Sequence, residues 1–146
     1  MSTGTRPNVR VVLDTNVVLS GIFFGGLPGR ILDAWQAGHL TLVLSPVILA
    51  EYHRAGAALA VRYPSAETAL GPLLALLAQA ATIVNAPELA AAVSADPEDD
   101  KFLACALASR TPVIVSGDKH LLRVSGWRGI EVLTSRQMID RYRIKQ

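Results

Sequence analysis

An α/β fold built on a parallel sheet is predicted by three features of this chain. Short apolar runs alternate with helical patterns, the order that joins parallel strands through helical crossovers. The first run, Val9–Leu13, reads as apolar on both faces, as expected of a strand buried in a parallel sheet. Acidic residues also stand where apolar runs end or helices begin: Asp14 closes VRVVLD, Glu51 follows VLSPVILA, Asp99 and Asp100 open DDKFLACALA, and Asp118 follows VIVSGD. A parallel sheet gathers the C-terminal ends of its strands at one edge, where side chains far apart in sequence can meet.

Each element has its own local signal. After the strand at Val9–Leu13, Thr15–Phe24 reads as a helix start and loop, and Gly25–Gly29 as a turn. A short helix follows at about Arg30–Ala37, stopped by Gly38, and Leu40–Leu44 is the second strand. Ser45-Pro46 supplies an N-cap and a first-turn proline for a helix running to about His53, with Glu51 in its second turn. Ala66–Gln79 carries Leu70, Leu73, Leu74 and Leu77 at i, i+3, i+4 and i+7, an apolar stripe suited to a core or a subunit contact. Thr82–Val84 is the third strand, Pro87–Ser94 a short helix, and Pro97–Ser109 a helix whose first-turn acids suit the helix dipole. Val113–Ser116 is the fourth strand, Lys119–Arg123 a helical piece, Ile130–Leu133 the fifth strand and Ser135–Tyr142 a closing basic helix. With no repeat or interdomain linker, one domain is expected over 1–146, its core at about 8–142.

Composition narrows the function classes. The 146 residues are 51% hydrophobic and only 5% aromatic, so the core is aliphatic. No apolar stretch reaches the roughly 18–20 residues of a membrane span, and MSTGTRPNVR lacks a signal peptide's apolar segment. Cys105 is the only cysteine, which excludes an internal disulfide and suits a reducing cytosol; a cytoplasmic location and no membrane partner are expected. Net charge is only +2, but residues 64–100 hold six acids and no base, whereas residues 101–146 hold nine Lys/Arg against three acids. A basic third beside an acidic centre suggests a polyanion approaching an anionic, metal-loving site.

The acids have ordinary explanations when taken singly. Asp14 could cap the following helix, although Asn16 offers an alternative cap, and an acid at the end of an apolar strand is costly unless paired or metal-bound. Glu51 has Val47 and Ile48 as its i−4 and i−3 neighbours; a Glu51–Arg54 surface pair is the plainer reading. Of Asp99 and Asp100, only one should point at the sheet edge. Asp118 follows an apolar strand, with the Ser116 hydroxyl beside it. Taken together, clustered carboxylates would repel one another and hold raised pKa values, which a divalent ion resolves. Hard cations such as Mg²⁺ or Mn²⁺ take oxygen ligands of this kind. Other chemistries lack their parts. FFGGLPG is missing the lysine of a phosphate-binding loop, His39, His53 and His120 have no zinc spacing, Cys105 reads as a small core residue, and no serine has a G-x-S-x-G context.

In order along the chain, VVLDTNVVLSGI, SPVILAEYHR, DPEDDKFLACALA and TPVIVSGDKHLL resemble the PIN-domain family of metal-dependent ribonucleases. They are especially similar to its bacterial toxin-like branch, which includes VapC-type toxins. The resemblance implies a three-layer α/β/α sandwich with a five-stranded parallel sheet in the order 3-2-1-4-5. It implies an Mg²⁺ or Mn²⁺ site of Asp14, Glu51, Asp100 and Asp118. Asp100 is chosen by an acid–x–x–aliphatic spacing completed by Leu103, with Asp99 as the alternative. Asn16 and Ser116 match polar positions bordering such a site, while a position often acidic in this branch is His120 here. The implied activity is hydrolysis of RNA phosphodiesters by a toxin, with a small antitoxin partner and a homodimer. Charge alone nominates Arg123, Arg128 and Arg136 as phosphate contacts.

Three rivals remain on the sequence alone. A haloacid-dehalogenase-like phosphatase would carry a second aspartate two residues after Asp14, where Asn16 stands. A receiver-like signalling domain would place its acidic pair after the first strand. A catalytically silent PIN domain acting as a protein-binding module would keep the fold without turnover.

Overall fold

The structure, a computed structural model, describes residues 8–144. β1 (Val9–Leu13) is the central strand, and its Val11, Val12 and Leu13 have no more than 1% of their surface exposed. β2 (Leu40–Leu44) pairs with it on one side and β4 (Val113–Val115) on the other, while β3 (Thr82–Ile83) and β5 (Glu131–Leu133) form the edges. All four pairings are parallel, and the order is β3-β2-β1-β4-β5. Helices flank the sheet in an α/β/α sandwich, as the resemblance implies. The near-continuous apolar strands are explained by this cover, because a strand coated on both faces has no solvent side to keep polar.

The helices are α1 (Thr15–Phe24), α2 (Gly26–Gln36), α3 (Pro46–Arg62), α4 (Glu67–Ala80), α5 (Asp100–Ser109), α6 (Lys119–Arg123) and α7 (Ser135–Tyr142). α5 lies on β1, β2 and β4, whereas α1 packs against α2, α3 and α4. Leu70, Leu74 and Leu77 of α4 are buried, so that stripe is spent on the core. Among the described residues, no single helix is long and apolar enough to cross a membrane.

Thr15–Phe24, expected as a helix start and loop, is helical throughout, and three further elements differ from their sequence expectation. The Gly25–Gly29 turn is only a break at Gly25 (φ 73°), and α2 already runs from Gly26. Pro28 sits in its first turn, where a missing N–H breaks no intrahelical bond. α3 continues nine residues past His53, to Arg62. The alanine-rich AGAALAVR segment supports this, and the helix stops at Tyr63 because the following Pro64 disfavours helical geometry there. The third difference is at Pro87–Ser94, which forms no helix. The N–H groups of Val93 and Ser94 bond instead to the Asp100 carboxylate, at 3.0 and 2.8 Å.

α1 and α2 approach closely at Gly21. A Cβ there would lie 2.6 Å from Leu32 Cδ1 and 3.1 Å from the Pro28 carbonyl. The flexible leucine tip can retreat, but the backbone carbonyl cannot. Gly21→Ala is therefore expected to destabilise the protein by about 1–2 kcal/mol, an overpacking cost partly offset by better helix propensity. Thermal denaturation should show a loss of a few degrees.

Candidate metal centre

The local sequence explains each side chain's position. Asp14 ends β1 and N-caps α1, its Oδ1 accepting the Val17 N–H at 2.9 Å. Asp118 follows β4 and N-caps α6, accepting the His120 N–H at 2.8 Å. The capping reading of Asp14 is thus correct, Asp118 caps its helix in the same way, and capping is also what aims both acids. Ser116, fully buried, joins the two: its hydroxyl donates to Asp14 Oδ2 and accepts the Asp118 N–H at 2.9 Å. Tyr52 donates its phenol proton to the Leu13 carbonyl at 2.5 Å, which fixes α3 against the end of β1 and sets the neighbouring Glu51 in place.

Asp14, Thr15, Asn16, Glu51, Arg54, Asp99, Phe102 and Asp118 border one cleft of about 290 Å³. Two of these acids, Asp99 and Asp118, also form a group with Asp96, each of the three offering a carboxylate oxygen within 4.8 Å of the others. Oxygens at about 2.0–2.6 Å from a shared hard cation lie up to about 4–5 Å apart, so this spacing suits one.

The sequence expectation took Asp100 as the third carboxylate, but the structure places Asp99 in the cleft. Asp99 closes a 3₁₀ turn (Pro97–Asp99) and is 8% exposed, while both oxygens of Asp100 are committed to Val93 and Ser94. Asp100 organises the neighbouring loop, and that loop leads into Asp96. Asp96 itself was missed by sequence reasoning; its only signal is the Asp-Pro pair that caps the 3₁₀ turn.

Glu51 does reach the cleft, but its oxygens are engaged. The Thr15 hydroxyl donates to Oε2, and the Lys101 ammonium lies 2.6 Å from Oε1. The expected partner Arg54 stands farther off, at 3.7 Å, with 71% of its side chain exposed, so it adds little. Lys101 and Thr15 were not anticipated, because their pairing with Glu51 depends on helix packing. Asn16 is exposed at the rim. Arg123, Arg128 and Arg136 do not border the cleft. Arg128 stacks on Trp127 with its guanidinium 5.6 Å from the ring centroid, and Arg136 pairs loosely with Asp140 at 3.9 Å.

The electrostatics favour a cation. Burial raises the Asp14 carboxyl above its usual range, opposed by hydrogen bonds from Ser116 and Val17 and reinforced by the charges of Asp118 and Glu51. Burial, followed by the charge and hydrogen bonding of Asp118 and the charges of Asp96 and Asp14, pushes Asp99 up to about 7. Asp99 Oδ2 is buried with no hydrogen-bond partner. An orphaned carboxylate oxygen facing other acids is costly unless a proton or a metal ion meets it, so the donor set fits a hard divalent cation. Cys105 differs: burial pushes its thiol up to about 12, leaving an inert core residue.

The profile of the family described as "PIN domain" matches residues 10–120, from within β1 to α6. No curated protein matches the chain.

Proposed function

We propose, from the premise that this chain belongs to the PIN-domain family, whose members are generally nucleases, that it is an endoribonuclease dependent on Mg²⁺ or Mn²⁺. The carrying observation is the orphaned Asp99 Oδ2 among the carboxylates of Asp14, Asp96 and Asp118. Asp96, Asp99 and Asp118 would hold the ion, with Asp14 beside them. When bound, the ion supplies Lewis-acid polarisation of a phosphate and a water acidic enough to attack it.

The chain's own residues do the positioning. The Ser116 hydroxyl and the Val17 amide orient Asp14. The Lys101 ammonium balances Glu51, and exposed Arg54 at the rim stands where a substrate phosphate would pass. The nucleophile and leaving oxygen would belong to water and RNA. The sequence motifs that resemble the toxin-like branch support a further reading: a cytoplasmic toxin, homodimeric and neutralised by a small antitoxin. An adjacent reading frame encoding a small DNA-binding protein would support it.

The purified protein is expected to degrade single-stranded RNA with Mg²⁺ or Mn²⁺, to stop with EDTA, and to lose activity in Asp14→Asn. Equal cleavage by Asp14→Asn, after contaminating nuclease has been excluded, would refute the assignment.

A further inference from the structure

The aromatic cluster where α1 and α3 end is not explained by the core. Phe24, the last residue of α1, is 61% exposed, and Val61 and Tyr63 at the end of α3 are 83% and 38% exposed. Large apolar side chains left together at a surface are the informative exception. Phe24 meets Tyr63 edge to face, with centroids 5.1 Å apart and planes at 89°, and Phe23 stands 6.3 and 6.4 Å from the two rings. One ring of an edge-to-face pair keeps its faces unstacked. The Arg62 guanidinium lies 5.8 Å from the Tyr63 centroid, adding a cation beside the rings.

A groove of about 450 Å³ leads from Phe24 toward the acidic cleft, with Leu19, Ser20, Ala58 and Leu59 among its walls. Asn16 and Ala55 border both the groove and the cleft, so the two form one continuous surface. From Asn16 to Phe24 is eight residues of α1, about 12 Å. Among the described residues, the groove's lining contains Arg62 and no acid, and Arg54 lines the adjoining cleft. A cation beside an apolar floor, a second in the adjoining cleft and an unstacked ring at the far end are complementary to a strand of phosphates carrying unpaired bases.

We propose that Phe24 and Tyr63, with Arg62, form a stacking platform for a base of single-stranded RNA whose backbone follows the α1–α3 groove into the acidic cleft. The direction of the strand rests on the ribonuclease reading above. The platform itself is tested without cleavage.

Full-length protein in EDTA is titrated into a fluorescein-labelled single-stranded RNA and followed by anisotropy. Phe24→Ala is expected to weaken binding by about tenfold, the effect of one lost base–aromatic stack. Phe24→Leu, which keeps bulk but no flat face, should lose nearly as much, and Phe24→Trp should bind at least as well as the parent. Because Phe24 is mostly exposed, circular dichroism and melting should be unchanged in all three variants. Replacing bases in the RNA by abasic sites should weaken the parent protein's binding and barely affect Phe24→Ala.

The proposal is overturned by equal affinity across the variants, by no measurable binding to the parent protein, or by abasic sites costing both proteins equally. It is also overturned if Phe24→Ala dissolves a dimer in sedimentation while RNA affinity stays the same, which would assign the rings to a second copy of the chain. Failure of the ribonuclease reading looks different: RNA binding would depend on Phe24, with no metal-dependent hydrolysis.

Discussion

Asp99→Asn is expected to reduce metal-dependent RNA cleavage by more than about a hundredfold, while Asp100→Asn leaves it within about tenfold of the parent. Groups that merely orient a metal ligand cost about 10–100-fold when removed, and a ligand should cost more. Asp99 is the buried acid with an unsatisfied oxygen facing Asp118, so an amide there keeps the shape and loses the charge that binds the ion. Asp100 spends both oxygens on the Val93 and Ser94 amides. Its amide variant keeps one acceptor and gives up part of two charge-assisted hydrogen bonds, each worth about 1.5–3 kcal/mol. Asp100→Asn should therefore melt several degrees lower yet retain a metal-induced thermal shift. The measurement is single-turnover cleavage alongside melting with and without Mn²⁺. The reverse pattern, with Asp100→Asn inactive and Asp99→Asn active, would show that the ion is bound by the other acid.

Mn²⁺ at about one hundred times its dissociation constant is expected to stabilise the protein by about 2.7 kcal/mol. At roughly 2–4 °C per kcal/mol, that raises the melting temperature by about 5–11 °C. The gain should depend on pH in a definite direction. The Asp99 carboxyl is raised to about 7 from an ordinary value of 3.8, so the folded metal-free protein binds a proton that the unfolded chain releases. That proton's contribution is fully present below about pH 4 and is lost as pH rises through 7. The metal-free protein should accordingly lose stability toward neutral pH relative to Asp99→Asn. Mn²⁺, which competes with the same proton, should give its largest gain above pH 7 and a small one near pH 5. EDTA should reverse it. An unchanged melting temperature at every Mn²⁺ concentration and pH would mean that these carboxylates hold no ion.

Much of this architecture is legible in the residues. The central strands stand out because burial on both faces demands unbroken apolar runs, and the bounds read for α6 and α7 match to the residue. Other features depend on tertiary contacts. α3 runs through Gly56, which breaks helical patterning in a sequence but is paid for where Leu70 packs over the missing Cβ. The segment at 87–94 has helical composition, but Asp100 satisfies its amides from outside. Asp99 and Asp100 straddle a 3₁₀–α junction, where one residue of phase turns a side chain by about 100°, so sequence spacing cannot separate them. The acids at the strand ends were found from the sheet's logic alone. Asp96, Lys101 and the Phe24–Tyr63 cluster were not, since each gains meaning only from neighbours brought in by folding.

Ser116 has one proton and two obligations. Its oxygen receives the Asp118 amide while its hydrogen goes to Asp14. The arrangement works as a clasp: a single hydroxyl ties the end of the first strand to the turn after the fourth, so any shift of one acid is passed to the other.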